Sequence, residues 1–442
     1  MKQAIQSYPL TMGHIVLWVV ALAAPCAIVS IQAPITITPV RVVSVIAGVA
    51  VLSAWLMRGA LRLSHNELLF FLVALMVSTV SVMQTSERLD QAFFFWLSVV
   101  MFMLVYIVSS HYARARSLSI KNLTNLLITS GVIYALVGIA DCVFGFIYGQ
   151  SLWKVLLNYP SDSNFDSVFA VGSLVIPRSS GMFSDANLFA YYLLMPSLLL
   201  MVRFTEKREG QGYNGVLHLS ALFVVLIAVV LSMSRSGIAV LTGSAFILGV
   251  KYHRIRWYVV SLLFGGVLAG LFMVTVSDYP KVLGVIVEQR LELEGDVADM
   301  VGGNRLARMQ AGLEAFVASP VFGVGIGDIG RFLPNNTANS EIVTSHSFYL
   351  DVLAGMGLIG FSVLVTGMMF YLWRSWSAAK GSAACFAAIT AVMGIFAVQL
   401  VYRNLLEPAL AFQIGIAAAL CRKNIAHRQK CRDGITTVVG LE

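Results

Sequence analysis

The sequence predicts an all-α, polytopic membrane protein of about twelve transmembrane helices with both termini in the cytoplasm. Three observations predict it. Of 442 residues, 58% are hydrophobic and only 12% are charged, about half the ~25% charge of an ordinary soluble domain. Apolar runs of 17 or more residues recur from end to end. A chain in lipid must satisfy its own backbone hydrogen bonds, and uninterrupted apolar runs do so as helices, not as the alternating strands of a barrel. Finally, the connections between runs alternate in charge.

The runs place spans near 13–31, 38–57, 67–84, 91–109, 122–148, 187–202, 217–234, 236–250, 257–276, 347–372, 382–401 and 404–421. The first contains "LAAPCA" but is followed by many more spans, so it reads as a retained helix and not a cleaved signal. The fifth contains Asp141, a buried polar contact or a functional group. The sixth follows "RSSGMFSDANLFAYYLL", where Asp185 or Ser184 can cap the helix start. The eighth is short. The tenth begins at "VTSHSFYLDVLAGMGLIGF", where His346 marks its entry from a long loop.

Orientation follows from Lys and Arg. The connections "LMRGALRLSH", "HYARARSLSIKN", "RFTEKREG", "KYHRIRW" and "WRSWSAAK", the tail "CRKNIAHRQKCR" and Lys2 hold 19 of the 30 basic residues. These belong to the cytoplasmic side, and the net charge of +8 is mostly this asymmetry. It is not a nucleic-acid signal, since no basic–aromatic recognition module accompanies it. The 442 residues therefore form a single transmembrane domain, with two large outer loops at about 149–186 and 277–346. The second holds "NRLARMQAGLEAFV", an amphipathic helix near 304–318 with Leu306, Met309, Leu313 and Phe316 on one face.

The five cysteines (Cys26, Cys142, Cys385, Cys421, Cys431) show no C-x-x-C spacing and read as small apolar fillers plus a tail thiol. "GIGDIG" (325–330) fits G-x-G-x-x-G, but no strand precedes it. Gly323, Gly325 and Gly327 read as tight-turn or close-packing positions instead. Asn335-Asn336-Thr337 is a formal glycosylation sequon of low specificity. No outer D-x-D or His/Cys cluster suggests a metal, and no cofactor is expected.

Arg178, Arg235, Arg305, Arg308, Arg331 and Arg403 all fall on the outer side, where the positive-inside rule makes cations a minority. In "VVLSMSRSGIAVLTG", Arg235 sits in a tight connection between two spans, where its guanidinium can reach the interface. A cation in hydrocarbon costs about 2.5–3.5 kcal/mol on insertion scales. The planar, permanently charged guanidinium suits bidentate binding of phosphate. Ion pairing with loop acids such as Glu292, Glu294 and Asp299 is the competing role, most of all for Arg331. His346, between Ser345 and Ser347, can accept a proton near neutral pH or simply cap its helix at the interface.

Four pieces in order, "RSSGMFSDANLFA", "LSMSRSGIAVL", "GNRLARMQAGLEAFVASPVFGVGIGDI" and "SHSFYLDVLAGMGLIG", resemble the O-antigen ligase and O-antigen polymerase superfamily. The resemblance covers roughly 175–372, with a matching many-helix plan elsewhere. It implies a metal-independent, inverting glycosyltransferase of the bacterial inner membrane. Such an enzyme moves a glycan from undecaprenyl diphosphate to an acceptor hydroxyl at the periplasmic face. A ligase uses lipid A–core as acceptor, in lipopolysaccharide biosynthesis; a polymerase uses the next repeat unit. The expected partners are the lipid-linked donor, one of those acceptors and membrane lipids, without nucleic acid. The resemblance implies catalytic roles for Arg235, Arg305 and His346. Arg178, Arg308 and Arg403 are the further candidates for binding diphosphate or glycan. Ser347 follows His346 where the family often has Asn. The rival is a twelve-helix secondary transporter, which predicts paired broken helices in two repeated halves. No such repetition is visible.

Overall fold

A computed structural model describes residues 12–23, 63–115, 118–148, 168–171, 174–183, 185–205, 212–252, 303–333, 347–379, 381–403 and 405–439, with a few isolated positions between them. Among the described residues the chain forms eleven α-helices. They are α1 (Met12–Ala23), α2 (His65–Gln84), α3 (Leu89–Ala113), α4 (Ile120–Tyr148), α5 (Ala186–Thr205), α6 (Gly212–Leu231), α7 (Arg235–Lys251), α8 (Gly303–Ala318), α9 (Phe348–Ala379), α10 (Ala383–Val398) and α11 (Pro408–Val439). Ten of the expected spans coincide with a helix. Those at 38–57 and 257–276 lie outside the described residues, apart from isolated positions. Helices α2, α3, α4, α5 and α9 are long and apolar enough to cross a membrane. The chain is a multi-pass membrane protein.

The all-α expectation needs one amendment. Val168–Val171 (β1) and Leu174–Pro177 (β2) pair antiparallel, with Val171 opposite Leu174. This hairpin lies in the first large loop and delivers the chain to Arg178.

Helix starts follow local chemistry. Ser64 and Glu67 form a capping box on α2: Ser64 Oγ accepts from the Glu67 amide and the Glu67 carboxylate accepts from the Ser64 amide at 2.7 Å. Asp185 caps α5 by accepting from the amides of Asn187 (2.5 Å) and Leu188 (3.3 Å). Ser234 caps α7 through the Gly237 amide at 3.1 Å, and Ser382 caps α10.

The core is organised around α5, whose apolar span is 89% buried, against 17% for the peripheral α2. Pro196 lies inside α5 and cannot donate to the carbonyl four residues back. That carbonyl belongs to Tyr192, and Gln413 Nε2 of α11 donates to it at 2.6 Å. A buried polar residue on a neighbouring helix thus supplies the missing bond, as lipid surroundings require.

Helix α9 is broken. Gly357 adopts φ 64°, ψ −166° in mid-helix, and the Gly-rich loop 319–328 fills the break. The amides of Val324 and Gly325 donate to the carbonyls of Ala354 (2.9 Å) and Gly355 (3.1 Å). In return the amides of Leu358 and Ile359 donate to Pro320 and Val321. Ser81 of α2 completes the junction, donating to the Gly355 carbonyl at 2.8 Å and accepting from the Ile326 amide at 3.1 Å. Close approach explains the glycines: a Cβ on Gly323 would land on the Gly355 carbonyl carbon, and one on Gly325 would lie 2.7 Å from Thr85 Oγ1.

Next to this junction, Asp328 is buried and ties the loop to the α2–α3 connection. Its carboxylate accepts from the amides of Ser86 (2.8 Å), Glu87 (3.1 Å) and Arg88 (3.4 Å) and from the Ser86 hydroxyl. Burial opposes its charge, but these donors outweigh burial and hold the carboxyl below its ordinary range. Arg331 pairs with Glu87 at 3.1 Å and with Asp328. Its ion-pair role is therefore met by different acids from those expected.

Candidate functional site

The site gathers where α5, α7 and α9 begin and where α10 hands over to α11. Arg178, half-buried at the end of the hairpin, donates from Nε to the Ser232 carbonyl (3.1 Å) and from a terminal nitrogen to Asn187 Oδ1 (3.2 Å). It thereby fastens the hairpin to the α6–α7 turn and to the first turn of α5. The Ser179 amide adds a bond to the Leu231 carbonyl at 2.9 Å.

The α6–α7 turn is tight. Met233 takes φ 49°, an uncommon conformation for a non-glycine residue. A Cβ on Gly237 would come within 2.6 Å of Ala190, so α7 starts pressed against α5. Arg235 is the first residue of α7 and is exposed, with no hydrogen-bond or ion-pair partner among the described residues. A cation at a helix N-terminus is opposed by the helix dipole. The same amides and dipole favour an anion, so an anion bridging Arg235 and the end of α7 would relieve the conflict. Its neighbour Ser236 shares a 2.6 Å hydrogen bond with Tyr191.

From there a polar chain leads to α9. The Tyr191 ring meets the Tyr402 ring edge-on at 5.5 Å. Tyr402 is hydrogen-bonded to Asp185 and Asn187; burial and the Asp185 carboxylate push its phenol well above the ordinary range. The next residue, Arg403, pairs from Nε with Asp351 Oδ2 at 3.0 Å, and Asp351 Oδ1 accepts from the Ser345 amide at 2.8 Å. The Phe348 amide donates to the carbonyls of Gln399 and Tyr402. Ser345 and Ser347 are buried and bonded to each other. Both neighbours of His346 are therefore fixed by this network, while His346 itself lies outside the described residues.

Helix α8 approaches the same point. A Cβ on Gly312 would lie 3.0 Å from Leu350 and 3.1 Å from Ser345 Cβ. The packed face is the small-residue stripe Ala311, Gly312 and Ala315, while Met309 and Leu313 are exposed. Close helix approach selects small residues over large ones. Position 305 is two turns from Gly312 on one stripe at 3.6 residues per turn. Arg305 is helical and its side chain lies outside the described residues; Arg308 is half-buried one turn before Gly312.

The structure thus brings the segments bearing Arg178, Arg235, Arg403 and His346 together, with α8 beside them. Arg403 is committed to Asp351. Asp351, Tyr402 and Tyr191 are missing from the sequence-based candidates. Asp351 had a signal: a carboxylate inside an apolar span is costly and needs a partner. Among the described residues no three His, Cys, Asp or Glu side chains lie together as a metal site would require.

Residues 220–365 match the family model described as O-Antigen ligase. This segment is similar to the O-antigen ligase family. The segment that carries the O-antigen ligase match runs from α6 to the middle of α9. It includes Arg235, Arg305, Arg308 and His346, and the glycine junction at Gly357. Arg178, Tyr402 and Arg403 come from outside the matched segment and reach the site through the contacts above. No curated protein matches the chain. Outside the matched segment, Asp141 is a buried contact that accepts from the Leu152 amide at 3.0 Å. Cys26, Cys142, Cys385 and Cys421 form no disulfide among the described residues, and the last three are buried.

Proposed function

We propose that the protein transfers a glycan from undecaprenyl diphosphate to an acceptor sugar hydroxyl at the periplasmic face of the inner membrane. The acceptor is lipid A–core in a ligase or the next repeat unit in a polymerase. The observation that carries this reading is the continuous set of contacts from the Arg178–Arg235 turn to the buried serines on either side of His346. In this reading the anion-binding and proton-accepting groups share one hydrogen-bonded frame.

In this reading Arg235 and Arg305 bind the diphosphate and stabilise the charge that grows on it, usually the largest single contribution to such a step. Arg178 and Arg308 support that site. Arg403 acts through Asp351 and Ser345 to position His346. His346 takes the acceptor's proton as the acceptor oxygen bonds to the anomeric carbon. The bond from that carbon to the diphosphate breaks, and the electron pair leaves with undecaprenyl diphosphate. One displacement inverts the anomeric centre. Diphosphate is a competent leaving group, so the step balances without a metal.

The test separates donor binding from transfer. His346→Ala should still bind undecaprenyl-diphosphate glycan but lose about 10²–10⁴-fold in transfer. His346→Gln should retain slightly more, since an amide can orient a hydroxyl but takes no proton at neutral pH. Unchanged transfer in His346→Ala would return the residue to a helix-capping role. Lost donor binding at normal protein levels would move it to the diphosphate side.

The orientation has its own test. A cysteine at Asn336 should react with an impermeant thiol reagent in intact spheroplasts, and Gln429→Cys only after permeabilisation. The reverse pattern would invert the sidedness read from Lys and Arg.

A further inference from the structure

Beside this site, α2, α3, α9 and α11 line a cavity of about 210 Å³. Its walls are almost wholly apolar, including Phe70, Ala74, Phe95, Val99, Leu364 and Met368. On α9 the lining positions from Gly360 to Ala378 span about 27 Å of helix at 1.5 Å per residue, close to the ~30 Å hydrocarbon thickness of a bilayer. Protein interiors are normally close-packed, so an elongated apolar void of this kind needs an occupant. The wall towards the bilayer is α2, the least buried of the five long spans.

The two ends differ. One, near Phe348 and Leu405, abuts the candidate site. The other is lined by three arginines, Arg114, Arg374 and Arg422, and one carboxylate, Glu67. Glu67 is already engaged: Arg114 grips both its oxygens at 2.9 and 2.5 Å, and Ser64 and Tyr106 add further bonds. Arg374 and Arg422 are exposed at the mouth. Arg422 lies just beyond the apolar part of α11. Partial desolvation on its inner side, with the neighbouring guanidiniums of Arg114 and Arg374, holds its pKa below the ordinary arginine range. Positive charge thus accumulates beside an apolar slot, on the side where the basic connections lie.

We propose that this cavity binds an anionic phospholipid, with its phosphate between Arg374 and Arg422 and one acyl chain running between α2 and α9. Basic pockets between transmembrane helices on the cytoplasmic side are suited to such headgroups, and the guanidinium fork matches phosphate oxygens. The lipid fills the space behind α2 and holds that helix to the bundle. The proposal concerns the arginine-lined end, at the far end of the cavity from the candidate site, and does not rest on the transfer reaction.

Native mass spectrometry of the purified protein, offered equal phosphatidylglycerol and phosphatidylethanolamine, tests this directly. The full chain should retain phosphatidylglycerol about tenfold over phosphatidylethanolamine, a difference of about 1.4 kcal/mol. Arg374→Gln/Arg422→Gln should remove that preference, and Ala74→Phe, which fills the slot, should lower retention of both lipids. The arginines are exposed, so the double variant remains informative even if Ala74→Phe does not accumulate. Equal retention of the two lipids by the wild type would overturn the proposal. So would a preference that survives the double variant, or displacement of phosphatidylglycerol by undecaprenyl phosphate, which would assign the slot to a prenyl chain.

Discussion

Arg235→Ala is expected to lower glycan transfer by at least ~10²-fold, the usual scale for deleting one preorganised charge-stabilising group, while the protein accumulates at normal levels. The second half of this expectation comes from structure. Arg235 is exposed and bonds to nothing among the described residues, so the fold does not rely on it. Arg235→Lys should recover little, because an ammonium keeps the charge but loses the bidentate fork. Arg305→Ala should behave alike if position 305 faces the diphosphate from α8. The measurement is transfer from purified lipid-linked glycan, alongside donor binding and protein yield. Full activity in Arg235→Ala would remove that residue from the mechanism.

Gly357→Ala should unfold or grossly destabilise the protein, by about 3 kcal/mol or more. Its φ of 64° and ψ of −166° fall in a region open essentially to glycine alone, where strain costs about 1–3 kcal/mol. An added Cβ would also strike the Val321 carbonyl oxygen, a backbone atom that cannot turn aside. Gly243→Ala is the matched control: its Cβ would meet nothing within 4 Å, and alanine is the better helix former by about 0.8–1 kcal/mol. Thermal unfolding in detergent compares the two. A melting temperature in Gly357→Ala equal to that of Gly243→Ala would mean that α9 runs straight in solution and that the loop junction is dispensable.

Much of this architecture is legible in the sequence because lipid imposes a simple rule. Apolar runs became helices, and Asp185, Ser234 and the S-x-x-E at Ser64 mark where three of them start. The break in α9 was not legible. "GMGLIG" reads equally well as small residues for helix packing, and what distinguishes it is a loop that arrives from 30 residues earlier. The packed face of α8 was likewise not legible: it is marked by Gly312 and two alanines, not by its larger apolar residues. The hairpin at 168–177 carried a recognisable signature, Gly-Ser between β-branched runs in "VFAVGSLVIP", hidden inside what read as loop. Of the site, the arginines stood out by charge on the side read as outer, and His346 by its place where the long loop enters a span. Tyr402 and Asp351 did not, since their meaning depends on which span ends lie side by side.

The grip of Asp328 on the amides of Ser86, Glu87 and Arg88 joins positions about 240 residues apart. At roughly 5–20 residues per second of synthesis, the α2–α3 turn leaves the ribosome about 12–50 seconds before the carboxylate that satisfies it exists. Ser81 waits somewhat longer for the Gly355 carbonyl, 274 residues on. During that interval α2, the helix with the least protein around it, has no clasp at its far end. The early and late parts of the chain are therefore locked together only once the glycine loop has been made.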